Sequence, residues 1–169
     1  IPEEKPIWYQ KHMAQHNREA CDLSWTRNVT NCFLIREPTE VIHSYGKRFP
    51  IINELLLGFV QQAELFKCIM DRTEVVPPVL DAKDILIDPR TMLKKLCAAI
   101  EIEFTNAMLS WPSGPRESDG VWAPHWYRQV EISTGFKPYR KKEMRIPDKQ
   151  QLLLEKCSPA YEYLFQYKL

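Results

Sequence analysis

Short runs of consecutive apolar residues alternate along the chain with longer stretches in which apolar residues recur every three or four positions. Residues 32–35 are an apolar run of the length of a buried strand, and residues 79–82, which follow Pro77 and Pro78, predict a second strand. Helical periodicity predicts helices over four ranges: 39–49, 51–73, 89–101 and 148–169. Strands that alternate with helices are typical of an α/β fold with a parallel sheet.

Aspartate, glycine and proline refine these boundaries. Residues 84–89 predict a turn in which an aspartate caps the next helix and Pro89 takes its first position. Gly58 is a weak point in the helix predicted before this turn. Pro159 predicts a kink in the last helix, because proline lacks the N–H that the helical hydrogen bond requires.

The junction between the first strand and the next helix carries the first candidate site. Arg36 ends the apolar run, and Pro38 suits the first turn of a helix. Ligands of open α/β sheets bind at the carboxyl ends of strands, and helix N-termini attract anions. Ser44 lies about 9 Å along the axis from Pro38. The sequence therefore predicts an anion site at Arg36 and Ser44, beside the first helical turns. Alternatively, Arg36 pairs with Glu37 or Glu40, and Ser44 lies on an exposed helix face.

Composition narrows the class of protein. The 169 residues are 44% hydrophobic and 27% charged, as expected for one soluble globular domain. A formal net charge of +1 is a reason against a general nucleic-acid binder, and no apolar run reaches the roughly 18 residues of a membrane span. Five widely spaced cysteines without a C-x-x-C pair predict reduced thiols in a cytoplasmic protein.

The motif Arg36-x-Pro, followed by Ser44 eight residues after the arginine, resembles the 3′-phosphate-binding segment of sulfotransferases. Those enzymes use 3′-phosphoadenosine-5′-phosphosulfate (PAPS) as donor. Residues 81–102 resemble a strand-to-helix block of that family, and 108–115 and 121–127 resemble its bacterial and plant sulfotransferase-like members. The resemblance implies a P-loop nucleotide-hydrolase-like fold, with three layers and helices on both faces of a mostly parallel sheet. It also implies that Arg36 and Ser44 hold the 3′-phosphate of PAPS or of its product, adenosine 3′,5′-bisphosphate.

The same resemblance points to catalytic residues near the start of the chain. Residues 6–10 predict a short strand that ends at Lys11, which matches a family lysine facing the transferring group. The usual histidine two residues later is Met13 here, so His12 and His16 are the candidates for the base that takes the acceptor's proton. His16 is preferred, because a helical turn starting near Met13 would return it over the cleft. Alternatively, both histidines are polar surface residues.

Two further segments carry candidate ligand contacts. An aromatic group is formed by Trp111, Trp122 and Trp126. These side chains would line an acceptor pocket, stack on an adenine, or pack between helices as a plug of the core. His125 lies within this group and is a further candidate base. The basic stretch 137–145 is similar in position to the loop that covers the 3′-phosphate in the family, but it lacks the Arg-Lys-Gly signature of that loop. Its alternative role is that of a solvated loop.

One part of the family's donor site is missing from the sequence. The five glycines, at positions 46, 58, 114, 120 and 135, open no Walker-type phosphate loop. Residues 1–169 are therefore expected to form a single sulfotransferase-like domain without its N-terminal strand, phosphate loop and helix. The start at Ile1 without an initiator Met favours a fragment over a protein that has lost this half.

These expectations lead to one function and two rivals. The first is sulfuryl transfer from PAPS to a hydroxyl or amine of a small-molecule acceptor, with no metal, nucleic acid or membrane as partner. One rival is a non-catalytic nucleotide-binding or scaffold domain of the same fold, which the missing loop and Met13 favour. The other is a related P-loop kinase that uses ATP, which would require a Walker lysine upstream.

Overall fold

The computed structural model describes residues 7–16, 22–116, 119–121, 123–141 and 144–169. The described strands are β1 (Phe33–Ile35) and β2 (Val79–Asp81). The described α-helices are α1 (Pro38–Gly46), α2 (Phe59–Thr73), α3 (Ala82–Ile87), α4 (Pro89–Ala99), α5 (Ala123–Trp126), α6 (Arg128–Glu131) and α7 (Asp148–Phe165). Short 3₁₀ segments lie at Ala14–His16, Ser24–Asn28, Glu54–Leu57 and Asn106–Leu109.

The two strands form a parallel pair in which Phe33 lies opposite Val79. On the other side of β2, Lys168 forms a parallel bridge with Val79, and the Leu169 N–H donates to the Val79 carbonyl at 3.0 Å. Both predicted strands are confirmed to within one residue at each end. Because the pair is parallel, the carboxyl ends of β1 and β2 lie at the same edge of the sheet.

The core lies between this sheet and helices α2 and α7. Its buried residues are Phe33, Ile35, Ala63, Phe66, Ile69, Val79 and Leu164. Phe66 is fully buried, and its ring contacts those of Phe33 and Tyr167 at centroid distances of 5.3 and 4.9 Å. These contacts have the tilted and edge-to-face geometries that aromatic pairs prefer. The packing of α2 and α7 on one sheet face thus holds β1 and β2 in place.

The second face of the sheet is covered only in part. Leu80 is 3% exposed, whereas its neighbour Leu34 on β1 is 57% exposed. The Leu34 carbonyl accepts a hydrogen bond from Gln62 Nε2 at 2.9 Å, so a side chain rather than a further strand is its partner. The described residues form a mixed α/β fold with a small parallel sheet, and they do not confirm the predicted three layers.

The helix predicted over 51–73 is interrupted at Gly58. This glycine has a φ of 75°, a left-handed conformation that separates the 3₁₀ segment Glu54–Leu57 from α2. A Cβ atom at Gly58 would also lie 3.1 Å from the backbone nitrogen of Gln15. The glycine therefore ends one element, starts the next and lets the segment before β1 approach the backbone closely.

The turn predicted over 84–89 is wrong, because most of this range belongs to helix α3. Asp81 caps α3 by accepting the Lys83 N–H at 2.8 Å. Asp88 then caps α4, and Pro89 occupies the first position of that helix, as predicted. Two aspartate caps therefore start two successive helices where a single cap is predicted.

The strand predicted over 6–10 is also wrong within the described residues 7–10. These residues are exposed and irregular, and no described strand pairs with them.

Helix α7 runs without a break through Pro159, where a kink is predicted. Proline removes the usual donor to the carbonyl of Glu155, and that residue is exposed to water.

Candidate functional site

Helix α1 begins directly after β1, and its first residues are fixed by a cap. The carboxylate of Glu37 accepts the backbone N–H of Glu40 at 3.0 Å and also the hydroxyl of Thr39. Pro38 takes the first helical position, as predicted. The predicted helix is therefore confirmed, although α1 ends three residues earlier than expected.

Arg36 and Ser44 line the same cleft, which has a volume of about 290 Å³. The remaining lining residues are Val41, Tyr45, Arg48 and Phe49. Arg36 comes from the end of β1, whereas the others come from α1 and the turn after it. Spacings of three and four residues bring side chains of a helix to one face. This space, called the Arg36 cleft below, combines two guanidinium groups, the hydroxyls of Ser44 and Tyr45 and two aromatic rings.

The Arg36 cleft lies along the side of α1 rather than at its N-terminus. The predicted attraction of an anion to the helix N-terminus needs correction, because the carboxylate of Glu37 already occupies that end. An anion between Arg36 and Ser44 would instead lie beside the second turn of the helix, which carries Val41 and Ser44. Positive charge in the cleft comes from Arg36 and Arg48.

Both parts of the alternative are present in the structure, because Arg36 pairs with Glu40 and Ser44 is exposed on α1. Arg36 Nε donates to Glu40 Oε2 at 2.7 Å, and the two side chains are 49% and 14% exposed. A guanidinium carries five N–H donors in a rigid plane, and this contact uses one of them. The ion pair and the predicted anion site are therefore compatible, because the contact leaves the other donors of Arg36 for a ligand.

A second cleft, of about 350 Å³, lies at the carboxyl ends of both strands. Within it, Asp81 is 2% exposed and accepts the Tyr161 hydroxyl at 2.7 Å. Burial, followed by the hydrogen bond to Asp81 and its negative charge, raises the pKa of Tyr161. Lys168 pairs with Asp84 in the same cleft at 2.7 Å. Both aspartates thus have partners inside the protein, and these contacts join α7 and the chain after it to β2 and α3.

The structure brings none of Lys11, His12 and His16 into either cleft. Lys11 is exposed and follows an irregular segment, so the prediction that it ends a strand is wrong. His12 Nε2 lies 2.9 Å from Gln10 Oε1, and the His12 ring contacts Trp25 at a centroid distance of 5.0 Å. His16 lies on a helical turn, as predicted. The assignment of these three residues to catalysis stays a prediction.

The aromatic group of the C-terminal half is described only in part. The ring of Trp111 packs edge-to-face against Phe136 at a centroid distance of 5.3 Å. Trp122 and the side chains of His125 and Trp126 lie outside the described residues. For Trp111, this contact favours the core-plug interpretation over an open acceptor pocket.

Two contributors to the site were not predicted from the sequence. Arg48 lines the Arg36 cleft, and its spacing of four residues from Ser44 is the signal that identifies it. Tyr139 donates its hydroxyl to Glu40 Oε1 at 3.1 Å across 99 positions of sequence, and no local pattern indicates this contact. Tyr139 belongs to the basic stretch 137–145, whose described residues are irregular, as predicted.

Three further observations concern possible metal ligands, the cysteine thiols and the character of the helices. No cluster of three or more potential metal ligands occurs among the residues that the structure describes. The cysteines in that part of the chain, at positions 32, 68, 97 and 157, are free thiols, and Cys21 lies outside it. In the described ranges, no helix has the length and apolar character that crossing a membrane requires.

Comparison with known proteins gives one family and two relatives. A sequence model of the sulfotransferase domain matches residues 2–165. Branched-chain-amino-acid aminotransferase-like proteins 1 and 2 of Arabidopsis thaliana are 35% and 32% identical to this chain, over 161 and 164 residues. These alignments cover 95% and 96% of the chain but only 28% and 29% of the relatives, so the chain spans less than a third of their length. No solved structure matches.

The family match extends over the Arg36 cleft and over both strands. It implies a P-loop-like fold, which agrees with the parallel strand pair and the helices around it. The general chemistry of the family is sulfuryl transfer. The strand-to-helix motif, the cleft beside it and the family match agree, and the chain belongs to the sulfotransferase domain family.

Proposed function

We propose that this chain binds the 3′-phosphate of PAPS in the Arg36 cleft and serves sulfuryl transfer to a hydroxyl or amine of a small-molecule acceptor. The observation that carries the proposal is that Arg36 and Ser44, from two different elements, line one cleft. If Arg36 served only in a surface ion pair with Glu40, neither the hydroxyl of Ser44 nor the guanidinium of Arg48 would be needed beside it.

The groups of the cleft fit a phosphate. Arg36 offers a planar fork of donors that matches phosphate oxygens, and Arg48 adds a second positive charge from the other end of α1. Ser44 offers a hydroxyl that donates one hydrogen bond. The exposed ring of Phe49 provides an apolar surface at the rim. Bound PAPS supplies the sulfuryl group, whose bond to the 5′-phosphate oxygen breaks as the bond to the acceptor oxygen or nitrogen forms.

The remaining roles follow from the family resemblance. Lys11 faces the transferring group and neutralises charge on the leaving phosphate, and a histidine takes the acceptor's proton. His16 is the preferred candidate for this base, because it belongs to the helical turn Ala14–His16 that follows Lys11.

A specific observation favours a second function, that of a non-catalytic nucleotide-binding scaffold. Lys11 is exposed on an irregular segment, and neither His12 nor His16 lines a cleft. In a scaffold, the Arg36 cleft would bind the nucleotide without turnover.

Binding is tested by calorimetry on the intact protein that contains this domain. Adenosine 3′,5′-bisphosphate should bind much more tightly than 5′-AMP. The Arg36→Ala substitution should weaken bisphosphate binding about 10- to 100-fold, the value of one charge-assisted contact, and leave 5′-AMP binding almost unchanged. Lys47→Ala is the matched control, because Lys47 is an exposed cation next to Arg48 that does not line the cleft. Equal affinities for the two nucleotides would refute the 3′-phosphate site.

Turnover separates the two functions. With a competent acceptor, His16→Ala should lower kcat by about 100-fold while donor affinity stays unchanged, and His12→Ala should have little effect. If both variants are fully active, the base lies elsewhere, and His125 is the next candidate. Bisphosphate binding without turnover of any acceptor would favour the scaffold.

A further inference from the structure

Three side chains form a continuous chain of contacts next to the Arg36 cleft. Arg36 Nε donates to one oxygen of Glu40 at 2.7 Å, and the hydroxyl of Tyr139 donates to the other oxygen at 3.1 Å. Arg36 and Glu40 are neighbours on the strand-to-helix junction, whereas Tyr139 comes from the basic stretch 137–145. A residue distant in sequence is therefore connected to the candidate phosphate ligand through a single carboxylate.

We propose that Tyr139, acting through Glu40, is a positioning residue for Arg36 and sets the affinity of the Arg36 cleft for a phosphate-bearing ligand. The ligand in this inference rests on the proposed function. The orientation of Arg36 by Tyr139 and Glu40 does not depend on it.

The Arg36–Glu40 contact alone would orient the guanidinium poorly. Ion pairs between exposed side chains spaced by four residues are weak, because both side chains keep much of their freedom. Arg36 is 49% exposed, but Glu40 is only 14% exposed and has both carboxylate oxygens engaged. A carboxylate held at both oxygens cannot rotate without breaking a hydrogen bond. The contact with Tyr139 thereby restricts the motion of the Arg36–Glu40 ion pair.

Tyr139 is itself held from two sides. Its backbone N–H donates to the Leu86 carbonyl of helix α3 at 3.3 Å, and Lys83 Nζ lies 5.8 Å from the centre of its ring. Burial, and then the hydrogen bond to Glu40 and nearby negative charge, raises the pKa of Tyr139. Neutral pH lies well below the ordinary tyrosine pKa of about 10, so the phenol is protonated there and donates its hydrogen bond. These contacts explain how an irregular segment can fix a residue of α1.

The direction of the change in phosphate affinity follows from how Glu40 behaves when Tyr139 no longer donates to it. Without the hydroxyl of Tyr139, the carboxylate of Glu40 is held at one oxygen only and is free to rotate about the Arg36 contact. The guanidinium of Arg36 then loses its fixed orientation, and ordering it again when a phosphate binds costs free energy. Loss of this hydroxyl should therefore weaken phosphate binding, although Tyr139 is not assigned a contact with the ligand.

The binding test is a double-mutant cycle with adenosine 3′,5′-bisphosphate on the intact protein. Tyr139→Phe should weaken binding about 3- to 10-fold, as expected for one hydrogen bond acting indirectly. In the Arg36→Ala background, the same substitution should have no further effect. The matched control is Tyr161→Phe, which also removes a phenol–carboxylate hydrogen bond but does not contact Glu40. This control should leave the affinity unchanged. A loss that is equal with and without Arg36 would refute the positioning role.

A second readout does not require a ligand. The Nε–H resonance of Arg36, identified by its absence from Arg36→Lys, should shift and exchange faster with water in Tyr139→Phe but not in Tyr161→Phe. An unchanged resonance would refute the positioning role. If the resonance responds as expected while the wild-type protein binds no bisphosphate, the positioning role is supported and the proposed phosphate site is wrong.

Discussion

Replacing Tyr161 by phenylalanine removes one hydroxyl from the contact that ties helix α7 to the end of strand β2. The aromatic ring is retained, so its packing against Phe165, at a centroid distance of 5.6 Å, should persist. The substitution therefore tests the 2.7 Å hydrogen bond to Asp81 with little change in packing.

The expected loss follows from the burial of Asp81. This carboxylate is 2% exposed, and its second oxygen is already bound to the Lys83 N–H, so water cannot readily replace the phenol. A hydrogen bond to a charged group contributes about 1.5–3 kcal/mol, and the free energy of unfolding should fall by that amount. For a chain of this length, the expected decrease in Tm is about 3–12 °C.

Urea unfolding followed by circular dichroism measures this loss, with an unchanged m-value as evidence that the unfolded state is the same. Tyr139→Phe is the matched comparison and should cost less, because its partner Glu40 is more exposed than Asp81. Equal stability of Tyr161→Phe and the wild type at pH 7 would refute the energetic role given to the Asp81 contact.

The pH dependence gives an independent check with a definite sign. The folded state raises the pKa of Tyr161 above the ordinary value of about 10. Below that value the tyrosine is protonated in both states, and its contribution to stability is fully present. Above it, the unfolded chain loses the proton that the folded chain keeps, so the stability of the wild type decreases as pH rises. The stability difference between the wild type and Tyr161→Phe should therefore narrow above pH 10, and a widening gap would contradict this account.

Three further predictions concern the core, one glycine and the thiols. Phe66→Ala should lower the free energy of unfolding by about 3–5 kcal/mol in urea titrations, since Phe66 is fully buried. Gly58→Ala should destabilise by at least about 1 kcal/mol because of its positive φ, whereas the control Gly46→Ala, without a positive φ, should be nearly neutral. All five cysteines should react with a thiol reagent after unfolding without reduction. In the native state, exposed Cys32 should react before buried Cys157, whose pKa is raised to about 11 by burial, and the opposite order would contradict the structure.

The parts of the fold that the sequence predicts correctly depend on local interactions. The start of α1 follows from Pro38 at its first position and from the cap at Glu37, both adjacent to the helix. Strand β1 follows from an apolar run that Arg36 ends, and β2 begins directly after two prolines. Arg36 and Ser44 are found in one cleft because a short motif spans a single strand-to-helix junction.

The parts that the sequence misses depend on distant partners. The sequence marks Gly58 as a weak point of the helix, but the approach of Gln15 to this glycine is not visible in the periodicity of the helix. A strand requires a neighbour, and residues 7–10 have none among the described elements. The contact between Tyr139 and Glu40 joins residues 99 positions apart. Such contacts are set by the assembled fold, so no local pattern specifies them.

The pairing of β2 with the last residues affects the order in which the chain can fold during synthesis. Lys168, which bridges to Val79, leaves the ribosome long after the residues of β1 and β2. Until α7 emerges, Phe66 lacks its contact with Tyr167, and one edge of β2 has no partner. Contacts so distant in sequence are slow to form, and unpaired strand edges favour association between chains. The nascent domain therefore completes its core only after α7 and residues 167 and 168 have been synthesised, and holding its sheet edge apart from other chains until then is a task suited to a chaperone.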